Sequence, residues 1–506
     1  MARSLAAAAL PMPTPPDAPA EDAPPAPAVT FGQALAPILV LLGLVVYGLI
    51  VRPQVFGQPA FPLEIVFVLA ATAAVVELVW LGHPWAVLQA SVVERLSRAL
   101  PAFLIFFSIG MLIGAWTVSG TIPMLVSYGL ALVRPSVLYP AAFVVAAVFS
   151  TLTGTSWGSA GTVGVVVMGI AGALGADLGV TAGAVIGGAY FGDKLSPLSD
   201  TTNIAALAAG VDVYAHVRSM LVTTVPSAAL ALGVYLALGL GAPPASGAAG
   251  GAAAFQAGLD AAFRFHPLLL LPPLIVLVGS VRQMPTVPVL VVSALTAAAL
   301  ALALQPFSLA DVLQSLYKGF DTAAMAPGAE GLPEGVVSLL DRGGLYALID
   351  AIVVAVTVFV FIGVMSAVGA LDLVVGRVVG LARTRRAAVL STLGAAAATN
   401  ALTSNQYATS FIVADAFKAR YDALALPRTV LSRSLEDTGT MIETLVPWTP
   451  SAVFMAATLG VPFSAYAPWQ ILSLANVVIA PIFAVLGVGW FLKAARPAEA
   501  PSRTDA

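Results

Sequence analysis

The sequence predicts an all-α polytopic membrane protein of about ten transmembrane helices plus two re-entrant hairpins, arranged as inverted-topology repeats with two broken helices. Three observations predict it. Hydrophobic residues make up 59% of the 506 and charged residues only 9%, with a mean hydropathy of +0.97, whereas a soluble globular chain carries about 25% charged residues. Apolar runs of the roughly 20 residues needed to cross a bilayer recur from end to end, as at Ala34–Ile50, Leu63–Leu81 and Gly344–Val368. In each half, two long apolar stretches are interrupted near their centres by small polar residues or by proline.

Residues 1–31 are rich in Ala and Pro, contain Asp17, Glu21 and Asp22, and lack the basic and apolar regions of a signal peptide, so they read as a disordered tail. Residues 32–100 hold two peripheral crossings, 32–51 and 63–81. Residues 101–240 form repeat 1: a crossing at 101–118, a hairpin from about Ser136 to Ala176 with its tip at 154–158, a broken helix at 179–211 and a crossing at 219–240. A Gly/Ala/Ser/Pro-rich stretch makes 241–264 a flexible linker, and 265–343 supplies crossings 265–281 and 285–305 and an external loop. Residues 344–492 form repeat 2, with a crossing at 344–368, a hairpin tip at 403–406, a broken helix at 434–460 and a crossing at 468–492; 493–506 is a C-terminal tail.

The breaks follow from Pro197, Pro447 and Pro450, because proline removes a backbone donor and clashes one turn back. Such backbone is tolerated at membrane depth only where protein or a watery cavity satisfies it. Three matches suggest the repeat: Phe107–Gly110 with Phe361–Gly363, Thr155-Ser156 with Thr403-Ser404, and Asp193 with Asp437, at offsets of 253, 248 and 244. With the N-terminus cytoplasmic, 16 Lys and Arg fall inside, Arg95 and Arg433 among them, 5 fall outside, and Lys194 lies within the membrane. This orientation puts the bases of the two hairpins on opposite sides, which is the inverted architecture of many secondary transporters.

Charge inside a bilayer is the main pointer to function. A charged side chain at the bilayer centre costs about 2.5 to 3.5 kcal/mol on the insertion scale, so a cluster in one broken helix marks an ion or substrate pathway. Asp193 and Asp200 are candidates for ion or proton binding, with Ser199, Thr201 and Asn203 beside Asp200 as hard oxygen ligands for a small cation. Asp200 is the expected working group of this stretch, with Glu443 as the second exchangeable carboxylate, since a proton and a cation competing for one carboxylate would couple their fluxes. Lys194 is charge-balancing, either as a permanent partner of Asp193 or as a resident cation that the cargo displaces; both readings stay open. Glu443 and Asp437 are the counterparts in the second half, although Glu436 and Asp437 also fit a helix-start ion pair with Arg433. The hairpin tips add Thr155, Ser156, Thr403, Ser404 and Asn405, and a Na+ ligand set is expected at Asp200, Thr155, Ser156 and Asn405. Close helix packing would also select small polar tips.

Other classes fit poorly. A net charge of -3 spread over 506 residues suggests no nucleic-acid partner, and the absence of Cys excludes disulfide scaffolds, thiolate metal sites and thiol catalysis. Gly154-x-Ser156-x-Gly158 matches a nucleophile elbow but lacks the preceding strand, and no ATP-binding motif is present, so neither a hydrolase nor an ATP-driven pump is expected. A channel would lack paired interrupted helices.

The runs GSAGT at 158–162, GAYFGDKLSPLSDTTN at 188–203, SRSLEDTGT at 432–440, Pro447-Trp448 and FMAATLGV at 454–461 together resemble the NhaC family of sodium/proton antiporters, over about Phe106 to Gly487. The resemblance implies a multi-pass transporter of the ion-transporter superfamily in a bacterial inner membrane, and the charge bias puts both termini in the cytoplasm. It would exchange cytoplasmic Na+ for external H+ without a cofactor, among membrane lipids. Its relatives that carry lactate and malate or amino acids make a Na+-coupled exchanger of a small organic anion or amino acid the alternative, and a homodimer is expected by likeness to similar transporters. The resemblance assigns no site residue.

Overall fold

The computed structural model describes residues 29–241, 248–325 and 332–490, and every regular element among them is helical. The chain is an all-α polytopic membrane protein. Eight helices are long and apolar enough to cross a membrane: Phe31–Phe56, Leu63–Trp80, Trp85–Val118, Pro135–Thr153, Ser156–Ala173, Val213–Gly241, Thr286–Leu304 and Ile349–Ser366. The number rises to 10 if two bent pairs, 252–281 and 463–486, each count as one span. The two arms of the first hairpin are thus each long and apolar enough to cross, whereas each broken helix is divided, into Leu178–Leu195 and Asp200–Ala209 in the first half and into 428–445 and Pro450–Leu459 in the second. Residues 1–28 and 493–506, read as tails, lie outside the described residues. So do residues 242–247, while 248–262, read as flexible linker, form a helix.

The first hairpin consists of Leu138–Thr153 and a second arm that begins at Ser156. The second consists of Arg385–Thr403 and Gln406–Ala423. Broken helix 1 is Leu178–Leu195 followed by Asp200–Ala209. Broken helix 2 is a run over 428–445 followed by Pro450–Leu459.

One register relates these halves. Gly154 and Ser404 are left-handed at the two tips, Gly175 and Ala425 at the two arm ends, and Gly210 and Gly460 at the ends of the two broken helices. Each pair is 250 residues apart. Thr155 and Asn405 cap the second arms, Ser199 and Thr449 cap the pieces after the breaks, and these pairs share the same spacing. The offset therefore does not drift from 253 to 244 as the sequence matches suggest. It pairs Asp193 with Glu443 rather than with Asp437, and Thr155 with Asn405 rather than with Thr403.

Within this frame, 428–445 is wound unevenly. Leu435–Thr440 forms a π turn and Glu443–Leu445 a 3-10 turn, so an underwound stretch is followed by an overwound one and the register is kept. The counterpart of the π turn in Leu178–Leu195 is ordinary α-helix.

Close backbone contact holds the first hairpin to broken helix 1. A Cβ on Gly188 would lie 2.1 Å from the Phe143 carbonyl oxygen, and one on Gly192 would lie 2.4 Å from the Thr151 nitrogen and 2.5 Å from the Ala147 oxygen. Small residues are what permit such an approach in a bilayer, where apolar burial between helices drives little. Gly192→Val is expected to cost about 3 kcal/mol, at the upper end for overpacking. Gly233→Val, whose Cβ would meet nothing within 4 Å, serves as the control and stays near the parent. Thermal unfolding in detergent measures both.

The crossings Trp85–Val118 and Ile349–Ser366 pack against each other, with a Cβ on Gly363 2.6 Å from the Cα of Val92 and the rings of Phe103 and Phe359 6.2 Å apart. The first of these helices also carries Arg95, whose Nη2 donates to the Thr403 carbonyl at 2.6 Å and whose guanidinium lies 5.6 Å from the centroid of Phe359. Arg95 is therefore a cap on the second hairpin rather than a cytoplasmic loop cation.

Candidate functional site

Both breaks are held open by side chains that satisfy the loosened backbone. At the first, Thr202 Oγ1 donates to the carbonyls of Asp193 and Lys194 at 3.2 and 3.1 Å, and Ser196 Oγ donates to the Thr151 carbonyl at 2.8 Å. Asn203 Nδ2 donates to the carbonyls of Pro197 and Ser199 at 2.8 and 2.6 Å, and the Ser199 hydroxyl lies 2.9 Å from that of Thr201. At the second, Thr449 Oγ1 donates to the carbonyls of Glu443 and Val446, and Gln470 Nε2 donates to the Thr444 carbonyl at 2.6 Å. Proline opens these helices, and hydroxyl and amide groups keep the opening from leaving buried orphans.

Equivalent carboxylates end the first piece of each broken helix. Asp193 is 5% exposed; Ser156 Oγ donates to its Oδ2 at 2.9 Å, and its Oδ1 has no partner among the described residues. Glu443 is half-buried. Tyr190 and Ser451 donate to its Oε2 at 3.2 and 2.9 Å, and Asn400 Nδ2 donates to its Oε1 at 3.2 Å. Only neutral donors reach these carboxylates, one hydroxyl at Asp193 and two hydroxyls and an amide at Glu443, and neither has an ion-pair partner among the described residues. Glu436, fully buried in the π turn, accepts from Thr440 Oγ1 at 2.5 Å, while its Oε1 has no partner among the described residues.

Asp437 is held differently. Lys194 Nζ lies 2.6 Å from Oδ1, Thr223 Oγ1 donates to the same oxygen at 2.7 Å, and Arg433 Nε lies 3.7 Å from Oδ2. Asn476 Nδ2 donates to the Asp437 carbonyl at 2.8 Å. Lys194, Arg433 and Asp437 are all buried. The pairing of Lys194 is with Asp437 across the repeats, not with its neighbour Asp193. Arg433, counted as cytoplasmic from the sequence, belongs to this buried cluster, and the positive bias keeps its sign without it and Arg95.

Asp200 stands apart from both groups. It is the exposed first residue of Asp200–Ala209, its Oδ1 accepts from the Thr201 amide at 3.0 Å, and Tyr407 of the second hairpin donates to its Oδ2. The structure therefore unites Ser156 with Asp193, and Lys194 with Asp437, but records no bond between Asp200 and Thr155, Ser156 or Asn405. Thr155 Oγ1 accepts from the Gly158 amide at 3.2 Å and Asn405 Oδ1 from Ala408 at 2.8 Å, each as a helix cap. Thr403 bonds to Thr409 and to the Asn405 carbonyl, and Ser404 Oγ is buried without a partner among the described residues. Sequence reasoning missed Tyr190, Asn400, Ser451, Tyr407, Thr223 and Asn476. Ser451 alone had a signal, lying two residues beyond the Thr449 cap as Thr201 lies two beyond Ser199.

The sequence pattern described as "Na+/H+ antiporter family" matches residues 188–488 of this chain. The chain is 38% identical over 458 residues to an uncharacterized Na+/H+ antiporter of Haemophilus influenzae, covering 90% of this chain and 96% of that protein. It is 33% identical to the Na+/H+ antiporter NhaC of Alkalihalophilus pseudofirmus, over 91% and 96% of the two chains. It is 32% identical to the malate-2H+/Na+-lactate antiporter of Bacillus subtilis, over 90% and 96%.

Proposed function

The chain belongs to the Na+/H+ antiporter family, and from that membership we propose that it exchanges cytoplasmic Na+ for external H+ by alternating access. It would do so in a bacterial inner membrane, with both termini cytoplasmic and the two repeats inverted. One observation carries the site assignment: Asp193 and Glu443 are equivalent under the 250-residue register, lie at the two breaks, and have only neutral donors and no fixed cation among the described residues. A buried carboxylate without a cationic partner is stable only when a proton or a bound cation neutralises it. Protons and Na+ that compete for this pair cannot both be carried in one direction, so their opposite fluxes are coupled. Asp437 is unsuited to that exchange because Lys194 and Arg433 already neutralise it.

Na+ prefers hard oxygen donors, and Asp193 Oδ1, Ser156 and the carbonyls of the two tips supply them. This reading reverses the roles expected from sequence, in which Asp200 works and Asp193 supports. An exposed carboxylate at a helix break implies water rather than lipid beside it, so Asp200 is assigned to the aqueous mouth through which Na+ arrives. Asp200→Asn is then expected to raise the KM for Na+ about tenfold, the loss of roughly 1.4 kcal/mol of attraction, with maximal exchange nearly kept. Loss of maximal exchange at saturating Na+ would return the working role to Asp200.

The proposal is tested in proteoliposomes with an imposed pH gradient, adding sodium, lithium or potassium alone, and sodium with lactate, malate or amino acids. Proton movement on sodium alone supports it, and an absolute requirement for an organic solute sinks it. That second outcome has its own support, because the malate and lactate antiporter is as similar to this chain as the NhaC protein is. The cargo would then be a small carboxylate held at the half-helix N-termini capped by Ser199 and Thr449.

A further inference from the structure

We propose that Trp157 and Tyr407 are the paired gate residues of the transport cycle, one for each mouth, and that this structure has the Trp157 gate closed and the Tyr407 gate open. The inference rests on the alternating access proposed above. The two rings are 250 residues apart and occupy the same place, the second residue of the second arm of each hairpin. Each reaches across to the first turn of the post-break helix of the other repeat. Trp157 Nε1 donates to Ser451 Oγ at 3.3 Å, and Tyr407 donates to Asp200.

Their surroundings differ where a gate would differ. Trp157 stacks on Phe454 at 4.8 Å and 16° between planes, and Phe106 lies 5.3 Å from both rings. Phe454 and Phe106 are fully buried and Ser451 is 5% exposed. The counterpart of Phe454 is Ile204, so a ring stack on Tyr407 is not available in either state; the difference that bears on the gate is exposure, Tyr407 being 40% exposed beside an exposed Asp200 and Asn203 while Ser451 is 5% exposed. Two corresponding contacts, one covered by buried aromatic rings and one exposed, are what a two-repeat transporter presents when one of its mouths is shut.

The closed gate also reaches the site. Ser451 Oγ, which accepts from Trp157, donates to Glu443 Oε2. Trp157 is thus a positioning residue that holds a hydroxyl donor on one exchanging carboxylate. Its release on opening frees Ser451 and changes what Glu443 is bonded to. In the opposite state, Tyr407 takes the sealed position and Trp157 the wet one.

The chain has no cysteine, so single cysteines report accessibility directly. Asn203→Cys and Val453→Cys, one for each mouth at equivalent positions, are labelled in the full-length protein in oriented vesicles by a membrane-impermeant maleimide added from one side at a time. The cysteine at 203 is expected to react from the cytoplasmic side, and the cysteine at 453 at least tenfold more slowly from either side. Adding Trp157→Ala is expected to speed labelling at 453 about tenfold from the external side and to slow it at 203. Trp157→Phe, which keeps the stack and loses only the N–H donor, gives an intermediate shift and covers the case in which the alanine variant fails to fold. Unchanged labelling at 453 in both variants, labelling of both positions from the same side, or equal labelling from both sides overturns the proposal. Labelling needs no transport, so correct sidedness without Na+/H+ exchange would count against the proposed cargo and not against the gates.

Discussion

Glu443→Gln and Asp193→Asn are each expected to lower Na+-driven proton movement by about 100-fold or more while the protein still inserts and folds. The magnitude follows from the charge that is lost. An ionised group in the bilayer interior is worth about 3 kcal/mol of interaction with whatever neutralises it, and every 1.4 kcal/mol is a factor of ten. The amides keep the shapes and still accept from the local donors, so the fold survives; what disappears is the ability to exchange a proton for Na+. The two variants differ in their structural side effects. Asp193 accepts one side-chain bond and has one free oxygen, so its amide is easily accommodated. Glu443 accepts three, from Tyr190, Ser451 and Asn400. The side chain introduced by Glu443→Gln must turn its NH2 toward one of these groups, at about 1 to 2 kcal/mol if that contact goes unmade. The measurement is quenching of a pH-sensitive dye in proteoliposomes on addition of Na+, with insertion checked by size exclusion. Asp193→Glu and Glu443→Asp keep the charge and are expected to retain measurable exchange. Near-normal exchange by Asp193→Asn would remove the residue from the mechanism and leave Glu443 as the single exchanging group.

Much of this architecture is legible in the sequence because it rests on local physics. Composition and run length give the membrane class, Pro197 and Pro447 give the breaks, and Gly154 marks a tip that needs a left-handed residue. The equivalence of Asp193 and Glu443 was also available. Each precedes a capping Ser199 or Thr449 by six residues and a terminal Gly210 or Gly460 by seventeen, whereas Asp437 fits neither spacing. A match on charge alone pairs the wrong carboxylates.

The partner of Lys194 was half available. Neighbours on a helix point about 100° apart and do not face each other, so Asp193 was a poor partner for it from the start. That the partner is Asp437, 243 residues away, depends on how two repeats dock. The same holds for Tyr190, Asn400, Asn476 and Tyr407, which in one dimension are single polar residues on apolar helix faces. The exposure of Asp200 is equally a tertiary fact, since its neighbours Ser199, Thr201 and Asn203 look like ligands but are committed to the backbone and to each other.

Lys194→Met is expected to destabilise the protein by about 3 kcal/mol, and Asp437→Asn by about 5 kcal/mol. Breaking a buried ion pair from one side leaves the other charge without compensation, at about 3 to 5 kcal/mol. The local geometry decides which end of that range applies. Without Lys194, Asp437 keeps Arg433 at 3.7 Å and the Thr223 and Asn476 donors, so its charge is only partly uncompensated. Without the Asp437 charge, Lys194 and Arg433 are two buried cations facing one another across a neutral amide, and no carboxylate among the described residues is bonded to either. The order of the two effects is therefore fixed by counting charges, even though both variants remove the same 2.6 Å contact. Combining them relieves the strain of the single Asp437→Asn change, because Lys194→Met then deletes one of the two stranded cations. The double variant is expected to be more stable than the sum of the single losses by about 1 to 3 kcal/mol, the range for directly interacting residues. Thermal unfolding in detergent of the four members of this cycle measures it. If Lys194 instead served as a resident cation displaced by the cargo, Lys194→Met would change the Na+ dependence of exchange at permissive temperature while leaving unfolding little altered. A stability loss with an unchanged KM for Na+ assigns Lys194 to the framework that holds broken helix 1 against broken helix 2.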